Sequence, residues 1–267
     1  MRCPGCGFPA NSVQTFQLSD GDLFPERRRW TRDPQHLETL GFYSWFLAPL
    51  KCARVLDLGS GPGTVAIPLT WLENVAAVVC FDVDLNARSS LLKDKATLGI
   101  TKLEVAGQEG QPHALPFPNE SFDAIVARYS MHHFPDQPGC IREIARILKP
   151  GGVLLYSDPA MPTHSRNTTD SLYRRRETTF HGYRTYHEML DLVRSGGLEV
   201  LNLRPYDYQR GTLDDFLKEQ SAELRAELID RWLQLDDQTK RELKWSGVRE
   251  GPFITYPIID LAAIKSC

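Results

Sequence analysis

The sequence predicts an α/β fold, a mostly parallel seven-stranded sheet with helices on both faces and helical lid insertions. Two patterns carry that expectation. From Ala53 onward, short apolar runs alternate with segments of helical period, the order of repeated strand–helix–strand units and hence of a parallel sheet. The first run, Val55-Leu56-Asp57-Leu58, ends in the glycine-rich turn Gly59-Ser60-Gly61-Pro62-Gly63, and later runs end in polar residues at Asp82 and Arg128. The composition agrees: 267 residues, 42% of them hydrophobic, can bury a core without disulfides, metals or a partner.

Ahead of the sheet, Asp33-Pro34 opens an entry helix through Leu37, Leu40, Trp45 and Leu47 that Pro49 ends. After the first strand, Val65, Ala66, Leu69 and Leu72 suit a helix in which Pro68 is a tolerable irregularity. Ala77 to Phe81 forms the second strand, and Leu91, Leu92, Ala96 and Leu98 then give a helix closed by Gly99. Leu103 to Val105 is a third strand, and its prolines make Pro112 to Pro118 a loop. Ala124 to Ala127 delivers Arg128, Tyr129, His132 and His133 to the carboxyl end of the fourth strand. Ile141, Ile144, Ala145 and Leu148 share one helix face, which Pro150-Gly151-Gly152 ends, and Val153 to Tyr156 is the fifth strand.

A polar segment rich in arginine and aromatics follows up to Arg184, where Thr185 and Glu188 form a capping box for a helix ending at Gly196-Gly197. Leu198 to Leu203 is the sixth strand. Thr212 and Asp215 cap helices carrying Leu224, Leu228, Trp232 and Leu235, and Ile258 to Ile264 rejoins the sheet with Pro257 at its start. The organisation expected is residues 1–50 as an arm and entry helix, 51–206 as a cofactor-binding core, 207–250 as a helical insertion or lid, and 251–267 as the returning strand.

With 31 Lys and Arg against 34 Asp and Glu, the net charge of -3 gives no global pull toward nucleic acid or an anionic membrane. No apolar run approaches the roughly 18 residues of a spanning helix, and the N-terminus MRCPGCGFPA lacks the blocks of a signal peptide, so a cytoplasmic protein is expected. The six cysteines show no framework spacing. Cys3 and Cys6 form half of a zinc site, but no second pair of ligands follows nearby, so no metal is expected.

In an open parallel sheet the ligand lies beyond the carboxyl ends of the strands, where strand order reverses. Gly59, Gly61 and Gly63 let the chain turn sharply and bring backbone amides against a ligand. Their phasing is G-x-G-x-G, with Thr64 where a nicotinamide fingerprint wants its third glycine. A cofactor with an amino-acid end, a sulfonium and no phosphate suits this loop, with Asp57 just before it. S-adenosylmethionine has that shape. Asp82, at the end of the second strand, can accept hydrogen bonds from both ribose hydroxyls.

At these residues the sequence resembles class I S-adenosylmethionine-dependent methyltransferases, and more closely the broad group that includes the ubiquinone and menaquinone C-methyltransferases. Val55 to Gly63 is similar to the group's first motif, and Leu115-Pro116-Phe117 with Ser121-Phe122-Asp123 to its LPF-x-x-x-S-F-D segment. Arg128-Tyr129-Ser130-Met131-His132-His133-Phe134 and Arg146 to Gly152 resemble the blocks that follow. The resemblance implies a Rossmann-like fold, with cofactor contacts at the Gly59 loop, at Asp82 with Val83 beside the adenine, and at Arg128 and Tyr129. Where the group often shows G-D-A, this chain has Gly110-Gln111-Pro112, or Gly107-Gln108-Glu109 if the loop carries an insertion; Gln111 is placed in the site.

For the chemistry, His132 or His133 at the strand end can take a proton near neutral pH, with His133 the first choice because it lies further past the strand. The alternative is that the pair only lines a pocket. Phe42, Tyr43, Trp45 and Phe46 are read as core, and Arg174-Arg175-Arg176, like Arg27-Arg28-Arg29, as a solvated charged face. Tyr173, Phe180, His181, Tyr183 and Tyr186 are expected in a lid over the substrate. The function expected is methyl transfer to a small, apolar or aromatic metabolite, without membrane or nucleic-acid partners and with a homodimer left open. The rival expectations are an RNA base methyltransferase, and a cofactor-binding cyclisation catalyst or regulatory module.

Overall fold

The computed structural model describes residues 33–106, 111–209, 211–245 and 255–266. Cys3, Cys6, Arg27 to Arg29 and Gly107 to Gly110 therefore lie outside the described residues. Seven strands form one sheet: β1 (Ala53–Leu58), β2 (Val75–Phe81), β3 (Leu103–Val105), β4 (Phe122–Arg128), β5 (Leu148–Pro159), β6 (Leu198–Gln209) and β7 (Thr255–Lys265). Their order is β3-β2-β1-β4-β5-β7-β6. The first five run parallel, and β7 inserts antiparallel between β5 and β6. Chain order reverses between β1 and β4, so their carboxyl ends diverge and leave a crevice.

The interior strands are apolar because both faces are covered. One face packs on α4 (Gln137–Ile147) and α6 (Tyr186–Ser195), with Ile141, Ile144 and Ile147 meeting Met189, Leu192 and Val193 over Ile125 and Leu154. The other packs on α1 (Pro34–Leu47), the four-residue α2 (Ala66–Leu69) and α3 (Leu85–Thr97). The aromatic stripe of α1 is core, with Phe42, Tyr43 and Phe46 all buried. Helix starts follow side-chain caps: Asp33 accepts from the Gln35 amide at 3.0 Å, Asp84 from Asn86 at 2.8 Å, and Thr185 with Glu188 completes the capping box.

A third cluster covers the carboxyl ends of the sheet. It joins α5 (Thr163–Arg176) with α7 (Leu213–Leu217) and α8 (Ala222–Leu233) through Tyr173, Phe180, Phe216, Leu228 and Trp232, and Leu243 adds the end of α9 (Asp237–Glu242). The arginine run on α5 is not merely a solvated face. Arg175 pairs with Glu227 of α8 at 2.9 Å, Arg176 donates to the Phe216 carbonyl at 3.1 Å, and Arg174 donates to the His181 carbonyl at 2.9 Å.

Several boundaries differ from the sequence reading. The apolar stretch Val65 to Leu72 yields only the short α2, and on α3 Leu91 carries the burial while Leu92 is exposed. β6 continues to Gln209, beyond the division drawn at residue 206. β7 starts at Thr255, which puts Pro257 inside the strand; its carbonyl still accepts from the Ala160 amide at 2.8 Å.

A polar chain crosses this architecture. Asp260 on β7 is fully buried and accepts from Ser157 at 2.5 Å and from Arg204 Nε at 2.9 Å; Ser157 also hydrogen-bonds Tyr43. Burial pushes the Asp260 carboxyl up, and Arg204 opposes the shift. Removing one partner of a buried pair leaves an uncompensated charge. Arg204→Met is therefore expected to destabilise the protein by about 3–5 kcal/mol, read by denaturant unfolding near pH 8, with the loss shrinking toward acid pH as Asp260 takes up a proton. A change below about 1 kcal/mol would show that Asp260 does not depend on Arg204.

Candidate active site

The crevice between β1 and β4 holds a cavity of about 650 Å³. Gly59, Gly61 and Pro62 form one wall, Phe81 to Asp84 a second, and Gln111 with Pro112 a third. Tyr129, Ser130, His133 and Phe134 close it toward β4, with Thr179 above. The loop after β1 adopts left-handed backbone at all three glycines, with φ of 73°, 51° and 87° at Gly59, Gly61 and Gly63. A Cβ on Gly59 would stand 2.4 Å from the Ser130 Cβ, and one on Gly63 2.4 Å from Leu91 Cδ1, whereas one on Gly61 would meet nothing within 4 Å. Gly59 and Gly63 are thus glycines because neighbours crowd them, whereas at Gly61 the place a side chain would take is open space.

Asp82 ties two loops together. It accepts from the Gly61 amide at 2.7 Å and from the Asp84 amide at 2.8 Å, while Asp84, not Asp82, caps α3. Val83 next to it is 57% exposed, an apolar surface left on the cavity wall. Asp57 is 2% exposed beneath the loop, and its Oδ2 has no hydrogen-bond partner among the described residues. Burial, reinforced by the Asp82 charge, pushes its carboxyl up to about 7.

Of the residues expected to hold a cofactor, Gly59, Gly61, Asp82, Val83, Gln111 and Tyr129 line this cavity together. Asp57, Gly63 and Arg128 do not line it. Asp57 lies below the loop, Gly63 packs against α3, and the Arg128 guanidinium stacks over the Tyr129 ring at 4.1 Å. Tyr129 itself is held with φ of 52°, a left-handed conformation that non-glycine residues seldom adopt.

A second cavity of about 180 Å³ adjoins the first, sharing Tyr129 and His133. His132, Glu177 and the tyrosines at 173, 183, 208 and 256 complete most of its wall. The two histidines fare differently. His132 is buried, with Nδ1 2.6 Å from Asp158 at the end of β5. His133 is half-buried, and burial together with the neighbouring His132 lowers its pKa to about 4. The sequence reading missed Asp158, Tyr208 and Tyr256. Asp158 carried a signal, an acid closing an apolar strand at its carboxyl end. Of the expected lid aromatics, Tyr183 and Tyr173 reach the cavity wall, Phe180 packs behind at 5.7 Å from the His132 ring, and Tyr186 is 39% exposed elsewhere.

An open parallel sheet with a glycine loop, an acid ending β2 and a cavity at the reversal of strand order is the architecture of a Rossmann-like cofactor-binding enzyme. The chain belongs to the methyltransferase domain family, whose model matches residues 28–203. It is 36% identical over 110 residues to the uncharacterised methyltransferase YcgJ of Bacillus subtilis, covering 41% of this chain and 42% of that one. It is 32% identical over 115 residues to the ubiquinone/menaquinone biosynthesis C-methyltransferase UbiE of Shewanella sediminis, covering 42% of this chain and 44% of that one. The match thus spans less than half the length of either relative. The crystal structure of YcgJ superposes with a TM-score of 0.73 at 22% identity over 86% of this chain and 98% of that one. The [4+2]-cyclase SpnF shares the fold with a TM-score of 0.59 at 18% identity over 91% of this chain and 92% of that one. No helix among the described residues is long and apolar enough to cross a membrane.

The raised Asp57 carboxyl has a consequence for the free protein. A folded-state value near 7, above an unfolded value of about 4, stabilises fully below the unfolded value and is lost as pH rises through the folded one. Asp57→Asn keeps the shape and removes the charge. The wild-type melting temperature, measured without ligand, is expected to fall from about pH 5 to 8 more steeply than that of Asp57→Asn; parallel curves would show that Asp57 is ionised without penalty.

Proposed function

We propose that the protein is a cytoplasmic S-adenosylmethionine-dependent methyltransferase acting on a small, apolar or aromatic metabolite. The observation that carries this reading is the pair of adjoining cavities, one walled by the glycine loop and Asp82, the other by histidines and tyrosines, meeting at Tyr129 and His133. The larger, about 650 Å³, has the size usual for a cofactor pocket. The residues fit the group: Gly61 stands beside open space, Asp57 carries an unpartnered oxygen under the loop, and Val83 exposes an apolar face.

When bound, S-adenosylmethionine supplies a methyl group on a sulfonium that is already activated for displacement. The amides around Gly61 would meet its carboxylate, Asp82 the ribose hydroxyls, and Val83 with Gln111 the adenine. The chain's main task is then to hold the acceptor in line. Positioning contributes roughly 7–11 kcal/mol, against about 3–5 kcal/mol for a general base. The tyrosine-lined cavity, about 180 Å³, suits a small acceptor.

The shared fold of a [4+2]-cyclase favours one rival, binding of the cofactor without methyl transfer. Incubation with methyl-labelled cofactor and a metabolite extract separates them: label in small molecules supports the reading, while label only in RNA, or in nothing, overturns it. Asp82→Ala deletes a charge-assisted contact worth roughly 1.5–3 kcal/mol. It is therefore expected to weaken S-adenosylmethionine binding by at least about tenfold in titration calorimetry; unchanged affinity would remove Asp82 from the site.

A further inference from the structure

His132 has one of its two ring nitrogens already committed. Nδ1 lies 2.6 Å from Asp158 Oδ1, while Asp158 Oδ2 accepts the His132 backbone amide at 3.2 Å and the Tyr156 hydroxyl at 3.5 Å. Both side chains are nearly buried, 9% exposed for His132 and 4% for Asp158. A carboxylate oxygen accepts, so Nδ1 is the donor of this pair and Nε2 is left as the ring's acceptor. No hydrogen bond from a described residue reaches Nε2, and the ring lines the smaller cavity. The carbonyl of His132 is fixed too, accepting the amides of His181 at 2.8 Å and Gly182 at 3.3 Å.

His133 lacks this support. Its Nδ1 contacts only the Thr179 carbonyl at 3.4 Å and hydroxyl at 3.3 Å, and its ring lies 4.3 Å from that of His132. A second unspent group belongs to a residue in the wall of the same cavity. Tyr256 is 3% exposed, and its hydroxyl has no hydrogen-bond partner among the described residues. A buried hydroxyl in that state calls for a ligand atom. Among the described residues the one acid in the wall is Glu177, ion-paired with Arg176, so these residues offer an approaching cation no free carboxylate.

We propose that the acceptor is a compact ring bearing an ionisable hydroxyl, a phenol or enol, methylated on oxygen with His132 as the base, Asp158 as its positioning residue and Tyr256 hydrogen-bonded to a second oxygen of the substrate. This rests on the methyl-transfer reading and names the substrate class of that site. The about 180 Å³ cavity suits one substituted ring. As the O–H bond breaks, its proton passes to Nε2. The oxygen electron pair forms the O–CH₃ bond, and the sulfonium C–S pair stays on sulfur, leaving a neutral thioether. The imidazolium, held against Asp158, then returns the proton to solvent. A neutral amine already has a free lone pair and would leave the dyad idle.

The test compares catechol, hydroquinone and 4-nitrophenol with phenethylamine as acceptors, after calorimetry has measured S-adenosylmethionine binding. Wild type is expected to form O-methyl products from phenols. His132→Gln should lower kcat roughly 10²–10⁴-fold on catechol but less than about tenfold on 4-nitrophenol, which is largely ionised at mildly alkaline pH. Asp158→Asn should show the same dependence on acceptor acidity, and Tyr256→Phe should raise KM for catechol with kcat nearly kept. Equal losses on both phenols would overturn the base assignment, since a misfolded variant or a merely structural histidine ignores acceptor acidity. Methyl transfer to the amine and not the phenols would overturn the substrate class. With cofactor bound and label entering other metabolites, inert phenols sink this inference alone; no cofactor binding sinks the reading beneath it.

Discussion

The loop after β1 and the turn after β4 touch with no room to spare, and the rest of the site is hung from that contact. Ser130 donates to the Leu58 carbonyl at 2.9 Å, and its Cβ occupies the space a side chain on residue 59 would need. Because Gly59 lets the two backbones meet, β1 and β4 stay paired almost to their ends and separate only beyond them. The crevice therefore opens at one place. Tyr129, forced into left-handed backbone one residue before Ser130, turns the chain out of β4 and begins the short helical turn Met131–His133. That turn sets His132 toward Asp158 and His133 toward the larger cavity.

Two adjacent histidines thereby acquire different electrostatics. At His132 a carboxylate 2.6 Å away engages Nδ1 and fixes the tautomer. At His133 burial and the neighbouring His132 ring oppose protonation, only weak contacts to Thr179 offset them, and its pKa falls to about 4. The sequence favoured His133 for its distance past the strand, whereas the proposed base is His132 because of this partner. Distance along the chain says where a residue sits, not what stands opposite its second nitrogen.

Much of the fold was legible because its determinants are local. The caps at Asp33, Asp84 and Thr185, the apolar runs of β1 and β4, and the glycine phasing all act within a few residues. The wall of the larger cavity was legible for a similar reason: in this topology the residues ending β1, β2 and β4 must converge. What stayed hidden depends on long-range pairing. Asp158 and His132 are 26 residues apart, and Tyr256 arrives on a strand whose antiparallel insertion between β5 and β6 no local pattern announces. The arginine run on α5 looked like solvated charge because the acceptors of Arg175 and Arg176, Glu227 and the Phe216 carbonyl, belong to helices 40 or more residues later.

The same insertion explains how the two halves of the site are kept in register. β7 brings Asp260 against Ser157 and Arg204, and Tyr43 of α1 joins them at Ser157. Arg204 continues to Thr39 at 3.2 Å, Thr39 to the Tyr206 hydroxyl at 3.1 Å, and Tyr206 to that of Tyr129 at 3.3 Å. A partly buried chain of this kind is costly unless its members are satisfied, and so it admits few arrangements. It links the entry helix, β5, β6 and β7 to the residue that divides the two cavities. The strand that carries Tyr256 into the smaller cavity is thus locked, through Asp260 four residues on, to the tyrosine on the wall of the larger one.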